Sequence, residues 1–151
     1  MKAALISFLL LLIFQTSFAQ KSEGQLNSTL TIGFLQGGGS LIGADLEIQV
    51  SDHFGIQGGA GIVGFGAGIN YHFKPSIRSS FISLQYWNQG IGSSFAQNVI
   101  GPNYVYRGKK WFTYQIGIGK TLSKGPAWPS GTVQTPIILM YSIGGYFSLK
   151  E

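Results

Sequence analysis

From Thr29 to Leu149 apolar residues recur at every second position, and past residue 19 they nowhere sustain the i, i+3, i+4, i+7 stripe of an amphipathic helix. That period dictates strands whose two faces differ. In 41–50 the even positions are Ile42, Ala44, Leu46, Ile48 and Val50, and the odd ones include Gly43, Asp45, Glu47 and Gln49. In 111–122, Phe112, Tyr114, Ile116, Ile118 and Leu122 share one row, and Thr113, Gln115, Gly117, Gly119 and Thr121 the other. In the last segment Ile137, Leu139, Tyr141, Ile143, Phe147 and Leu149 alternate with a mixed row containing Ser142, Gly144 and Ser148. The same reading gives strands over 29–36, 54–63, 66–74, 78–88 and 96–107, so that eight are expected in all.

Each segment runs for about nine to twelve residues, the length a tilted strand needs to cross a bilayer and longer than the usual strand of globular proteins. In hydrocarbon every backbone N–H and C=O must be paired within the protein, which only helices and closed barrels achieve. Charged residues make up 10% of the chain, well under half the roughly 25% of a soluble domain. The polar row is mostly Gly, Ser, Thr, Asn and Gln, which suits a narrow lumen, while the bulky row suits a lipid-facing belt. The expected fold is therefore all-β: a closed eight-stranded antiparallel up-and-down transmembrane β-barrel after an N-terminal signal peptide. A soluble lipid carrier of the lipocalin kind shares the alternation but turns its polar row outward, and it stands as the alternative.

The signal peptide is expected over 1–19, where Lys2 precedes the apolar run 3–14 and the small-residue signature Ser17-Phe18-Ala19. Its apolar core is too short to cross a bilayer as a helix. The remainder, 20–151, is one domain. Cysteine is absent, so neither a disulfide staple nor a thiolate site is available. The ten Lys and Arg residues do not cluster on one element or interleave with stacking aromatics, which argues against a nucleic-acid partner.

Gly59-Ala60-Gly61-Ile62-Val63-Gly64 spells the glycine fingerprint of a dinucleotide turn. Such a turn needs a following helix and an acidic residue about twenty positions on. Here another alternating strand follows, and no Asp or Glu occurs between Asp52 and Glu151. The glycines Gly59, Gly61, Gly66 and Gly68 fall instead on polar rows, where small residues leave room inside a narrow barrel, and 63–65 reads as a tight hairpin turn.

With the N-terminus on the periplasmic side, the connections 51–53, 75–77 and 108–110 are short and periplasmic and the longest, 123–134, is external, the asymmetry expected of such barrels. Phe54, Tyr71, Phe73, Tyr104, Tyr106, Phe112, Tyr114 and Phe147 then all lie on apolar rows at periplasmic strand ends, forming one aromatic girdle at headgroup level. In the long connection Trp128 stands between Pro126 and Pro129, the expected external-loop contact for a partner or sugar unless it folds back onto the rim.

Over the whole mature chain the sequence resembles the small eight-stranded outer-membrane β-barrel family of Gram-negative bacteria. The resemblance rests on the signal peptide ending Phe18-Ala19-Gln20, the eight alternating strands, and a final strand Gly145-Tyr146-Phe147-Ser148-Leu149 with apolar or aromatic residues at alternate places. It implies residence in the cell outer membrane, contact with its lipid and lipopolysaccharide, and recognition of the last strand by the barrel-assembly machinery during insertion. Lys150 and Glu151 depart from the aromatic ending common in the family. Two enzyme types of this strand number act on lipid A. The deacylases pair a His with a Ser two positions on, and neither His53-Phe54-Gly55 nor His72-Phe73-Lys74 fits.

Eight strands enclose an interior just wide enough to be filled by side chains, so a polar plug is expected rather than a pore. Asp45, Glu47, Gln57, Asn70, His72, Gln85 and Gln115 fall on the inward rows, with Lys74 and Arg107 inward near the periplasmic end. Buried carboxylates are costly unless paired, so Glu47 is expected to meet His72, Lys74 or Arg107. A shape-holding network is the reading preferred over an acid–base pair, and no catalytic role is assigned. Two His residues on different strands without Cys give no metal-ligand spacing, and no cofactor is expected.

Overall fold

The computed structural model describes residues 27–150; the signal peptide expected over 1–19 lies outside the described residues. Eight strands follow one another: β1 (Ser28–Phe34), β2 (Ile42–Gln49), β3 (Phe54–Gly61), β4 (Gly64–His72), β5 (Phe81–Gln89), β6 (Gln97–Arg107), β7 (Phe112–Lys124) and β8 (Ile137–Lys150). A one-turn segment α1 (Gln36–Gly39) interrupts the first connection, and a 3-10 turn (Gly92–Ser94) the fifth. Each strand pairs antiparallel with its sequence neighbour, and β1 pairs with β8, so the sheet closes on itself as an up-and-down barrel. β1 starts and β8 ends at the same end of the barrel, here called the termini end, where the connections 50–53, 73–80 and 108–111 also lie.

The alternation resolves into an inverted barrel. Ile69 and Ile118 on the outward rows are 60% and 58% exposed, whereas Glu47 and His72 on the inward rows are 2% and 0% exposed. Outward apolar side chains continue around the wall through Ile32, Leu46, Ile56, Leu84, Ile116, Leu139 and Ile143. Closure makes this surface possible, because no strand edge is left to pair with anything outside.

Several boundaries differ from the sequence expectation, each for a local reason. Gly61 pairs with Gly64, so the β3–β4 hairpin turns on Ile62 and Val63 rather than over 63–65, and Gly64 takes a φ of +127° that favours glycine. The strand expected from residue 78 starts at Phe81, and the connection before it spans 73–80. Ile77 in that connection turns into the barrel mouth and is 2% exposed, since burying its side chain outweighs three more ladder residues. Lys74, expected inward, lies beyond the end of β4 and is exposed. The longest connection runs over 125–136. Pro102 sits inside β6, and the β6–β7 ladder skips Gly101 and Pro102 between the pairs Ile100–Lys120 and Asn103–Gly117, where proline has no N–H to give.

Gln36, expected at the end of the first strand, belongs instead to α1, which folds down into the lumen and buries Gln36, Gly37 and Gly38. Leu35, Gly37, Gly38 and Gly39 all have positive φ, which turns the chain sharply enough to enter and leave within a few residues. A Cβ on Gly37 would strike the carbonyl of Ala60, and one on Gly38 would strike the backbone of Phe65. The inward wall of β3 and β4 is correspondingly bare. Gly61 faces Ser40 and Gly66 faces Gly38, while Gly55, Gly59 and Gly68 make room for the side chains of Glu47, Asp45 and Gln85. The dinucleotide-like string is thus the seat of a backbone plug.

This packing predicts that Gly38→Ala, with φ at +83° and no space for a methyl group, lowers the unfolding free energy by about 2 kcal/mol. Gly58→Ala, whose Cβ meets nothing within 4 Å, changes it by less than about 0.5 kcal/mol. Urea unfolding of the refolded barrel measures both.

Candidate functional site

The lumen is filled in three layers. Nearest the termini end, β2, β4 and β6 bring Glu47, His72 and Arg107 together. His72 Nε2 lies 2.8 Å from Glu47 Oε1, and Arg107 Nη2 lies 2.7 Å from Oε2. Asn70 Nδ2 also donates to Oε1, at 2.5 Å, and to Gln57 Oε1 at 2.8 Å. Thr29 Oγ1 accepts from Arg107 Nη2 at 2.9 Å and donates to Glu47 Oε2 at 3.4 Å. Both carboxylate oxygens therefore carry two partners, which offsets the cost of holding the charge away from water.

The same layer is sealed from the mouth. Arg107 Nη1 donates to the backbone carbonyl of Ile77, tying the 73–80 connection to β6. Its guanidinium lies between two rings, 4.9 Å from the centroid of Phe81 and 5.0 Å from that of Tyr146. The other His72 nitrogen, Nδ1, sits 3.3 Å from both the carbonyl and the hydroxyl of Ser79.

An amide ladder occupies the middle. Trp87 Nε1 donates to Gln85 Oε1 at 2.9 Å; Gln85 and Gln115 exchange amide bonds at 2.9 and 3.0 Å; Gln115 Nε2 reaches Asn103 Oδ1 at 3.2 Å. Beyond it Trp87, Val99 and Met140 form a small apolar cluster. Asp45 belongs to the plug rather than to the Glu47 layer, since its Oδ2 accepts the Gly37 N–H at 3.0 Å. The space left between Asp45, Glu47, Gln57, Arg107 and Gln115 is about 20 Å³, roughly one water molecule.

Of the residues the sequence assigned to the lumen, Glu47, Gln57, Asn70 and His72 form one network, Gln85 and Gln115 a second, and Asp45 a separate contact. Glu47 meets His72 and Arg107 but not the exposed Lys74. Phe81, Trp87 and Tyr146 were not assigned to the interior, although Phe81 and Trp87 share parity with Ser83 and Gln85 and β8 carries Tyr146 on the row of Ser142 and Gly144. A stricter use of the period finds them. Ile77, Gln36 and Ser40 lie in connections, where no period operates.

Such an arrangement holds three strands together through one carboxylate. A general base needs a free lone pair within reach of a substrate proton, and Glu47 has its oxygens occupied in a layer that is closed above and below. Among the described residues no group of three potential metal ligands comes together.

On the outer wall the eight aromatics Phe54, Tyr71, Phe73, Tyr104, Tyr106, Phe112, Tyr114 and Phe147 are all exposed and lie toward the termini end of β3, β4, β6, β7 and β8. Neighbours touch edge-on, tilted or stacked: Phe54 and Tyr71 at 5.4 Å between centroids, Phe73 and Tyr104 at 6.2 Å, Tyr106 and Tyr114 at 5.1 Å. At the opposite end Trp128 is half-buried rather than free-standing. Its connection is tied to the β5–β6 loop, with Gly125 N donating to Ala96 O at 2.7 Å and Ala127 N to Phe95 O at 2.9 Å.

No protein-family model, curated protein or solved structure matches the chain. The reading of its role therefore rests on its own geometry.

Glu47→Gln leaves Arg107 uncompensated in the lumen and is expected to lower the unfolding free energy by about 3–5 kcal/mol. Glu47→Gln combined with Arg107→Met removes both charges and recovers most of that loss. Chemical unfolding of the three proteins side by side makes the comparison, and a single-variant loss below about 1 kcal/mol would mean that the ion layer does not hold the barrel.

Proposed function

We propose that the chain is a small non-pore β-barrel of the bacterial outer membrane with a structural, envelope-integrity or surface-interaction role. One observation carries the reading: on a closed barrel the outward row is a largely apolar wall, and the inward row is mainly polar and filled. Water would have to hydrate that wall if the protein were soluble, at a cost of about 25 cal/mol for each Å² of apolar surface. Acyl chains cover it without that cost. The exposed aromatic band near one end fits the headgroup level of such a bilayer, with the termini end toward the periplasm. Lys120, outward on β7 toward the opposite end, has a stem long enough to reach lipopolysaccharide phosphate.

The filled lumen supports the non-pore part of the reading, because a space of about 20 Å³ admits neither a hydrated ion nor an acyl chain. It also weighs against a lipid carrier of the lipocalin kind, which needs a chamber. The saturated Glu47 layer supports a role without catalysis.

The lack of cysteine makes single-cysteine labelling a direct test. In reconstituted vesicles, Ile69→Cys and Ile118→Cys are expected to resist a water-soluble maleimide while Ser123→Cys, in the rim, reacts, and the barrel adds no steady conductance to a planar bilayer. Rapid modification of the wall positions, or recovery of the protein as a soluble periplasmic monomer, would overturn the membrane reading. Stable conductance would overturn the non-pore part alone.

A further inference from the structure

We propose that the outer wall of β5, β6 and β7, near the rim opposite the termini, binds the headgroup of a phosphorylated glycolipid, a sugar that carries hydroxyls and phosphate on acyl chains; this deepens the membrane reading above and rests on it. Two rows of outward side chains cross these strands. In the first, Tyr86 stands opposite Ile100, Ile100 opposite Lys120, and Lys120 opposite Ile137. In the next row toward the rim, Phe65 stands opposite Asn88, Asn88 opposite Asn98, and Asn98 opposite Ser123. Residues directly opposite share a face, and Phe65 is 47% exposed on the wall, so the two amides lie outside the barrel. There they join: Asn88 Nδ2 donates to Asn98 Oδ1 at 2.8 Å, and Asn98 Nδ2 to Ser123 Oγ at 3.0 Å. Ser123 reaches the row through a bulge. Val99 pairs with Thr121 and Asn98 with Ser123, so Leu122 is passed over and the serine, which by parity would share the inward side of Thr121, turns outward.

The row is only half satisfied by itself. An amide nitrogen has two hydrogens and a hydroxyl both donates and accepts. Among the described residues each Nδ2 spends one hydrogen along the row and keeps the other, and Ser123, which accepts, keeps its O–H. Asn88 Oδ1 is buried with no partner among the described residues. Such atoms are uncommon, and one on the outer side of a wall marks a bond completed by something beside the wall. Acyl chains would leave all of these groups unmet, at a cost. Sugar hydroxyls meet donors and acceptors alike, whereas a phosphate, an acceptor, would leave the Asn88 oxygen as it is. The first row supplies what the rest of such a headgroup needs: Ile100 and the Tyr86 ring for the apolar face of the sugar, and the exposed Lys120 ammonium for the phosphate.

The test uses the intact protein in nanodiscs that hold equal amounts of lipid A, a phosphorylated disaccharide on acyl chains, and phosphatidylglycerol in phosphatidylcholine, with lipid retained after ejection counted by native mass spectrometry. Lipid A is expected to be enriched over phosphatidylglycerol on the wild type. Asn88→Leu with Asn98→Leu, which keeps the charge, reduces that preference about fivefold for each amide lost. Lys120→Gln lowers lipid A retention about fivefold, and Lys109→Gln, the same charge change at the termini end, leaves it unaltered. Should the leucine pair fail to refold, Ser123→Ala, at an exposed position, reads the same row with a loss in the same direction. Equal retention of the two anionic lipids, lowered by Lys120→Gln and untouched by the Asn88, Asn98 and Ser123 variants, would overturn the glycolipid and reassign the wall to phospholipid phosphate. Insertion with neither lipid enriched over phosphatidylcholine, or with losses equal in Lys120→Gln and Lys109→Gln, would overturn the site while leaving the membrane reading intact. Failure to enter the bilayer at all would overturn both.

Discussion

The pairing of β1 with β8 is the constraint on which the rest depends. An open sheet of these strands would leave two rows of unpaired N–H and C=O groups at its edges, and the apolar outer wall would then be flanked by groups that demand water. Closure pairs the ladder within the molecule, apart from the gap at Gly101 and Pro102 and the register shifts beside Thr29 and Val99. It also sets the radius, and the radius sets everything inside. An interior this narrow admits one side chain from each inward position only if many of those positions are glycine, so residue size had to be distributed around the wall.

That distribution is uneven, and its pattern explains the interior. β3 and β4 present almost nothing inward but glycine, with Gln57, Asn70 and His72 as the exceptions. Elsewhere around the wall β5, β6 and β8 carry Phe81, Trp87, Val99, Met140 and Tyr146. Large side chains from one half of the wall thus reach over the bare half, and the backbone of α1 fills the bare half near the far end. An ion pair forms at one level, where Glu47 meets Arg107 beside His72 and the guanidinium lies between two aromatic rings. A buried ion pair is weak evidence for stability but a strong constraint on geometry, because either partner left alone would be far more costly than the pair. Here it fixes β2, β4 and β6 in mutual register and draws a connecting loop down over the mouth.

Much of this was legible in the sequence because a period of two survives whatever else varies. The eight strands, their faces and the inward position of Glu47, His72 and Arg107 follow from parity, and the closed form from the demand for backbone pairing. The failures cluster where parity stops. Lys74 has the parity of an inward residue, but β4 ends at His72 and hands the chain to a loop. Gln36 has the parity of an outward one, yet three consecutive glycines let the backbone leave the sheet at positive φ. Asp45 and Glu47 point the same way two residues apart, which suggested one cluster, but the lumen is layered and each carboxylate meets a different level. Side-chain direction is encoded locally; height along the axis depends on register between strands, which no single segment specifies.

The turn on Ile62 and Val63 carries a consequence for shape. It joins β3 to β4 with only two residues, whereas β7 and β8 extend well past the corresponding level before their connection begins. The rim opposite the termini is consequently lopsided, with a low, greasy lip on one side and a tall palisade on the other. On the membrane reading proposed above, a cylinder bounded by such an oblique rim sits best with its axis leaning, so that the low lip stays wetted by fat and the palisade stands clear of it.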